Sequence, residues 1–229
     1  EDVMFIRVCD FLFSGISLFF LLPLFLVIIF VLKFTGEGEI FFLQERVGKR
    51  KKMFKLFKFV TMLKNSPKIG TGTVTLKDDP RILPVGSFLR KTKINELPQL
   101  LNVFLGHMSL IGPRPQTQRC FNAFPIKSQK IISKVKPGLS GIGPIVFHSE
   151  ENILEKHNDI IDFYDNVIGP YKGDVEAWYV KKRNIFIYLS LILITIWVVI
   201  FPNSGIVWKA FKDLPVPPAD LKSNLNFPF

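Results

Sequence analysis

Cysteine and histidine are scarce in this chain. Of 229 residues, 2 are cysteine and 3 are histidine. Cys9 lies beside an apolar run and Cys120 in a polar stretch, with no metal-ligand spacing between them. That excludes a disulfide framework or cysteine metal site and suits a reducing cytoplasm. His107, His148 and His157 are isolated from one another and read as surface or hydrogen-bonded residues. No Ser-His-Asp set, zinc spacing or Walker loop occurs, and no segment repeats. Acidic residues are in the minority, 19 against 30 Lys and Arg, for a net charge of +11 and a pI near 9.7. No stretch resembles a nucleic-acid-binding module, so nucleic acid is not the expected partner of that charge.

What is plentiful is apolar. Phe alone numbers 24, and the mean hydropathy is positive. A chain both basic and apolar suits a membrane protein facing anionic headgroups. Phe11–Leu32 carries no charge. As a helix this run would be about 33 Å long, enough to cross a bilayer. No small-x-small site follows it, which argues against a cleavable signal. Pro23 stands near its middle, lacks an N–H and crowds the carbonyl of Phe19, predicting a kink. Two readings are open: a re-entrant hairpin with both ends on one side, or a kinked spanning helix. The excess of basic residues after the run places its C-terminal side in the cytoplasm.

After Lys33 comes a basic stretch holding Arg46, Lys49, Arg50, Lys51, Lys52, Lys55 and Lys58, interleaved with Met53, Phe54, Leu56, Phe57 and Phe59. Phe54–Phe59 predicts a strand and Arg46–Lys52 a turn around Gly48; the charge suits anionic lipid or phosphate. Asn65–Thr75 reads as a loop and Lys77–Arg81 as a turn stiffened by Pro80. Leu89–Leu105 predicts a helix, with Asn95 as N-cap, Pro98 in its first turn and Gly106 as its stop. Glu96 then stands at a helix N-terminus. Gly112–Pro115 is a rigid loop presenting Arg114. Gln116–Lys134 reads as helical, Pro137–Pro144 as a second Gly/Pro loop, and Asn152–Asn166 as an acidic helix. Ile185–Phe201 is a second apolar run, preceded by Lys181, Lys182 and Arg183. The tail from Pro202 reads as extended. The expected organisation is an α/β membrane-associated domain: an embedded helix over 1–34, a catalytic domain over 35–180, an apolar helix over 181–202 and a tail over 203–229.

The candidate chemistry centres on Glu96, set among Arg90, Lys91, Lys93, Arg114 and Arg119. A rigidly held Arg can clamp phosphate bidentately. A carboxylate can hold Mg²⁺ through a substrate's own phosphates. The expected phosphate-binding set is Arg81, Arg90, Lys91, Arg114 and Lys58. By residue type alone, Glu96 reads equally as a carboxylate that only stabilises a helix dipole.

A series of segments sharpens this reading. It comprises RVCDF around Asp10, the helix broken at Pro23, QERVG at Gln44–Gly48, FKFVTM at Phe57–Met62 and DPRI at Asp79–Ile82. It continues with VGSFLRKTKINELPQLLNV at Val85–Val103, GHMSLIGPRP at Gly106–Pro115 and KPGLSGIG at Lys136–Gly143. In this order the series resembles the bacterial sugar transferase family, the monotopic phosphoglycosyl transferases. The resemblance implies transfer of a sugar phosphate from a nucleoside diphosphate sugar to polyprenyl phosphate at the inner face of the cytoplasmic membrane. It further implies Mg²⁺, for which Glu96 is the expected ligand here, a re-entrant helix turning at Pro23, and a domain dipping into one leaflet. A homodimer is left open.

The sequence also departs from the family pattern. Leu22 replaces the Ser before the helix-breaking Pro, Val60 an Arg, and His107 an Asp. The second glycine loop is rewritten as far as Pro144, and Ile185–Phe201 is apolar where the family helix is amphipathic. Above all, Asn95 stands where the resemblance places an Asp nucleophile. An amide nitrogen is a poor nucleophile, so no phosphorylated-Asp intermediate forms at residue 95. Four explanations stay open: direct transfer in a ternary complex, Glu96 as nucleophile, an engineered substitution, or a subunit that binds without catalysis. The several departures together favour a natural divergent variant.

Overall fold

The computed structural model describes residues 2–66, 79–157 and 159–228. Asn65–Thr75 and the start of Lys77–Arg81 fall mostly outside those residues.

The first element, α1, runs from Asp2 to Phe34 as one α-helix of 33 residues with Pro23 inside it. It is about 50 Å long by its rise, and long and apolar enough to cross a membrane by length and composition. One stripe is buried, at Ile6, Asp10 and Ser14 and again at Phe25, Ile28 and Leu32, the three-to-four spacing of a single helix face. The other faces are exposed and apolar, with Phe19 at 73% and Phe20 at 74%.

The expected strand and turn of the basic stretch belong to a hairpin. β1 (Phe41–Val47) pairs antiparallel with β2 (Met53–Phe59), from Phe41↔Phe59 to Val47↔Met53. The turn at Lys49–Lys51 puts Arg50 and Lys51 at positive φ.

The helix expected over Leu89–Leu105 is broken into three pieces. α2 (Pro84–Lys91) opens on a proline at its first turn, where a missing N–H costs nothing. Lys93 then adopts the left-handed conformation, Ile94–Glu96 makes a 3₁₀ turn, and α3 (Gln99–Phe104) begins after Pro98 as N-cap. Asn95 is therefore not a cap, and Glu96 precedes a six-residue helix instead of occupying the first turn of a long one. The reason is local: Lys93 reverses the chain, and Pro98 cannot donate back into a continuing helix.

β3 (Ser109–Ile111) pairs in parallel with β4 (Gly138–Ser140), which lies within the second glycine loop. Between them Pro125 divides the expected Gln116–Lys134 helix into α4 (Gln118–Asn122), capped by Thr117, and α5 (Ile126–Ile132). The same loop continues into α6 (Ile142–Val146). The acidic Asn152–Asn166 stretch is also interrupted. It holds α7 (Glu150–Leu154), α8 (Ile160–Phe163) and a π-helical turn over Tyr164–Ile168.

The central helix α9 (Gly169–Lys182) leads to α10 (Ile185–Ile200), whose N-cap Asn184 accepts from the Ile187 N–H at 2.9 Å. The tail, expected extended, instead carries α11 (Ile206–Ala210) and α12 (Ala219–Lys222). It folds back because its apolar residues have a core to enter. Trp208, Leu214, Leu221 and Leu225 join Tyr171, Val175 and Tyr179 of α9 and Tyr188 and Leu191 of α10. Buried apolar area of this kind offsets the cost of ordering a chain end.

Polar anchors fix α1 on this body. Arg7 donates to the Val103 and Phe104 carbonyls at 2.7 Å each, at the end of α3. Asp10 Oδ1 accepts from Ser109 Oγ, the Leu110 N–H and the Tyr188 hydroxyl at 3.0, 2.8 and 2.8 Å. Further along, Phe25 meets Phe59 edge-on at 5.3 Å. Inside the body, the Asn102 side chain accepts from Phe57 N–H at 2.9 Å and donates to the Lys55 carbonyl at 2.8 Å. That pair of hydrogen bonds ties α3 to β2 and so sets the distance between Glu96 and the hairpin.

Candidate active site

The 3₁₀ turn before α3 aims Glu96 at the hairpin. Lys58 of β2 reaches it, with Nζ 3.0 Å from Glu96 Oε1. Arg114 approaches from the Gly-Pro-Arg-Pro loop, its Nη2 3.4 Å from the same oxygen. Burial opposes the charge on Glu96, but Arg114 and Lys58 outweigh it and hold the carboxyl well below the usual carboxylate range. Glu96 Oε2 makes no hydrogen bond among the described residues, so one carboxylate oxygen is left for another partner.

The Arg114 loop is held from behind. The Arg114 N–H donates to Glu176 Oε1 at 2.9 Å. Glu176, on α9, is only 1% exposed. Burial pushes its carboxyl up to about 7, against the pull of the Arg114 N–H. Gly143 of α6 abuts the same carboxylate; a Cβ there would lie 2.1 Å from Glu176 Oε1. Glycine is thus required for close approach. Beside this carboxylate, Lys172 pairs with Glu150 at 2.5 Å and lies 5.2 Å from the Phe147 ring.

Arg46 of β1 completes the cation cluster. Its Nη1 donates to the Pro115 carbonyl at 3.2 Å, and Nη2 to Gln44 Oε1 at 2.5 Å. Burial, and then the charge of Arg114, lower its pKa to about 10. Lys58 is likewise lowered, by burial first, with Glu96 acting against the shift. Around one ionised carboxylate the fold therefore gathers Lys58, Arg114 and Arg46, a site with more positive than negative charge.

Of the residues singled out by sequence, Glu96, Lys58 and Arg114 come together. Asn95 is buried at 8% exposure, and its Oδ1 has no hydrogen-bond partner among the described residues. Arg81 is engaged elsewhere, with Nε donating to Asp79 Oδ1 at 2.8 Å and Nη1 to the Ser66 carbonyl at 2.7 Å. Arg90 Nη1 lies 3.8 Å from Met62 Sδ, Lys91 is exposed at the end of α2, and Arg119 pairs with Asp165 at 2.9 Å. Sequence reasoning counted Arg46 only as part of a basic stretch and passed over Glu176. The one signal for Arg46 was its place in the QERVG segment. Among the described residues no three His, Cys, Asp or Glu side chains cluster as a metal site.

Known proteins carry similar sequences. The UDP-glucose:undecaprenyl-phosphate glucose-1-phosphate transferase of Klebsiella pneumoniae is 32% identical over 201 residues, 86% of this chain and 40% of that protein. A UDP-N-acetylgalactosamine-undecaprenyl-phosphate N-acetylgalactosaminephosphotransferase of Aeromonas hydrophila is 32% identical over 194 residues, 83% of this chain and 42% of that protein. The exopolysaccharide production protein ExoY of Sinorhizobium fredii is 35% identical over 153 residues, 61% of this chain and 67% of that protein. The chain thus spans about two fifths of the Klebsiella and Aeromonas relatives. The family profile described as bacterial sugar transferase matches residues 2–202. With that match running from α1 through the Glu96 site to the end of α10, the chain belongs to the bacterial sugar transferase family.

Proposed function

We propose that this protein transfers a sugar phosphate from a nucleoside diphosphate sugar, a UDP-sugar, to polyprenyl phosphate. The products are UMP and a polyprenyl diphosphate sugar, the first membrane-bound intermediate of a bacterial surface glycan. The names of the relatives support the substrate classes. The observation that carries the reading is Glu96, held by Lys58 and Arg114 with Arg46 beside them. Excess positive charge on these partly buried side chains suits a pyrophosphate better than any neutral ligand.

In this reading a phosphate oxygen of the lipid attacks the β-phosphorus of the UDP-sugar. The bond from that phosphorus to the bridging oxygen breaks, and UMP leaves with the electron pair. Arg114 and Lys58 meet the charge that grows on the phosphoryl oxygens. Asn95 cannot supply the attacking group. Glu96 is a weakened nucleophile because Arg114 and Lys58 hold its carboxyl below the usual carboxylate range and so lower its basicity. Direct transfer between the two bound substrates is therefore favoured over a covalent intermediate. A Mg²⁺ ion suits the donors present, through the free Oε2 of Glu96 and the substrate phosphates, where it would neutralise pyrophosphate charge.

The membrane arrangement we propose is re-entrant, at the cytoplasmic face of the inner membrane. Both the Ile6–Ser14 part and the Phe25–Leu32 part of α1 pack on the same globular body. Phe19, Phe20 and Leu22, just before Pro23, stay exposed. On α10, Phe186, Leu193, Ile196 and Val199 are exposed as well, which supports an apolar face resting in the same leaflet.

Incubation of the purified protein with polyprenyl phosphate, Mg²⁺ and a panel of UDP-sugars tests the reading, with UMP as the readout. Release of UMP that depends on both substrates is expected. Nucleotide-sugar binding without UMP from any donor would instead establish a binding protein.

A further inference from the structure

A second group of cations lies away from Glu96, at the root of α1. A Cβ built on Gly106 would be 3.1 Å from Arg7 Nη2 and 3.4 Å from Lys136 Nζ. Gly106 has φ +85°, a conformation that disfavours any side chain. The bare glycine thus lets a guanidinium and an ammonium close onto the same face of the backbone. Arg7 is held in place by the carbonyls at the end of α3. Lys136 makes no hydrogen bond or ion pair among the described residues. Burial lowers its pKa, and the charges of Arg7 and Lys49 add to that.

The acid acting on Lys136 is Asp10, whose Oδ1 is already held by Ser109, Leu110 and Tyr188. Glu96 pairs with Lys58 and Arg114, so the cations set against Gly106 are not the ones that hold the Glu96 carboxylate.

We propose that Arg7 and Lys136, drawn together against Gly106, bind the phosphate of an anionic phospholipid headgroup. The surroundings favour a lipid over a free phosphate. Met4, Val8 and Phe11 on α1 and Leu105 beside Gly106 are large, apolar and exposed. Cations rimmed by exposed apolar side chains match the boundary between headgroups and acyl chains. Lys49, at the tip of the hairpin, extends the positive field toward the same place. A bound headgroup would pin the start of α1 at a fixed depth.

Partitioning of the whole protein between phosphatidylcholine vesicles and vesicles containing phosphatidylglycerol tests the site. Lys136→Gln is expected to lower the preference for anionic vesicles about five-fold, the weight of one well-placed basic residue at such a surface. Lys136→Arg should keep most of the preference. Lys212→Gln removes the same charge from an exposed position in the C-terminal tail and should change it less than two-fold. Equal losses in Lys136→Gln and Lys212→Gln would overturn the site in favour of a diffuse field. In neutral detergent micelles, inorganic phosphate should show no saturable binding that depends on Lys136. Such binding, with an unchanged vesicle preference in Lys136→Gln, would mark a free-phosphate site and refute the lipid assignment.

Discussion

Replacing Glu96 by Gln keeps the shape of the side chain and removes its charge. Both Lys58 and Arg114 then lose their ion-pair partner at 3.0 and 3.4 Å. Breaking a fully buried pair costs about 3–5 kcal/mol. Here the side chains are 17% exposed for Lys58, 36% for Arg114 and 20% for Glu96, so solvent screens part of the loss, and Gln still offers an acceptor. A cost of about 1–3 kcal/mol is expected, or a fall in Tm of roughly 2–10 °C for a chain of this size.

The pH dependence separates this cause from others. The folded carboxyl of Glu96 is depressed, so its contribution is fully present above the unfolded carboxylate pKa and fades as pH falls through the folded value. The difference in Tm between wild type and Glu96→Gln should stay constant from pH 7 to about pH 5 and shrink only below about pH 4. Thermal unfolding in detergent across that range reads it directly. UMP release should be abolished at every pH. A variant that keeps turnover within a few-fold of wild type, or a Tm difference that disappears between pH 7 and pH 5, would refute the placement of an ionised Glu96 at the centre of the site.

Arg114→Lys should lower kcat/KM on the order of a hundred-fold, because a fixed fork becomes a point charge; unchanged kinetic constants would remove Arg114 from the site. Wild-type protein quenched during turnover should show no covalent phosphosugar adduct by mass spectrometry, and an adduct mapped to Glu96 would replace direct transfer with a two-step path. Asn95→Asp should yield an adduct at residue 95 together with higher turnover if the site lacks only its nucleophile, and lower turnover with no adduct if Asn95 serves to orient its neighbours. Cysteines placed at Val3 and Lys33 should both react with a membrane-impermeant thiol reagent only after the cells are permeabilised, and labelling of one of them in intact cells would establish a spanning α1.

The segments that were legible are those whose structure follows from neighbours in sequence. The apolar run became α1, the alternation around Phe54–Phe59 became a strand, and Ile185–Phe201 became α10 with Asn184 capping it. The structure differs where a local break competes with an apolar period: Pro98, expected in the first turn of a longer helix, stands as the N-cap of α3, and Pro125 divides the expected Gln116–Lys134 helix. The tail was misjudged for another reason: Trp208, Leu221 and Leu225 are spaced by prolines and polar residues, and only the surface they cover explains their burial.

The sequence by itself determined the membrane-seeking helix, the basic balance, the rigid loop carrying Arg114 and the series of segments that marks the family, because each depends on residue type and short-range spacing. Which cations meet Glu96 was decided only by tertiary structure. Arg90, Lys91 and Lys93 are the near neighbours in sequence, yet Lys58 and Arg114, 38 and 18 residues away, make the ion pairs. Arg46 and Glu176 enter the site for the same reason. An ion pair is set by distance in space, and those distances follow from the hairpin register, the Asn102 bridge and the support that α9 gives the Arg114 loop.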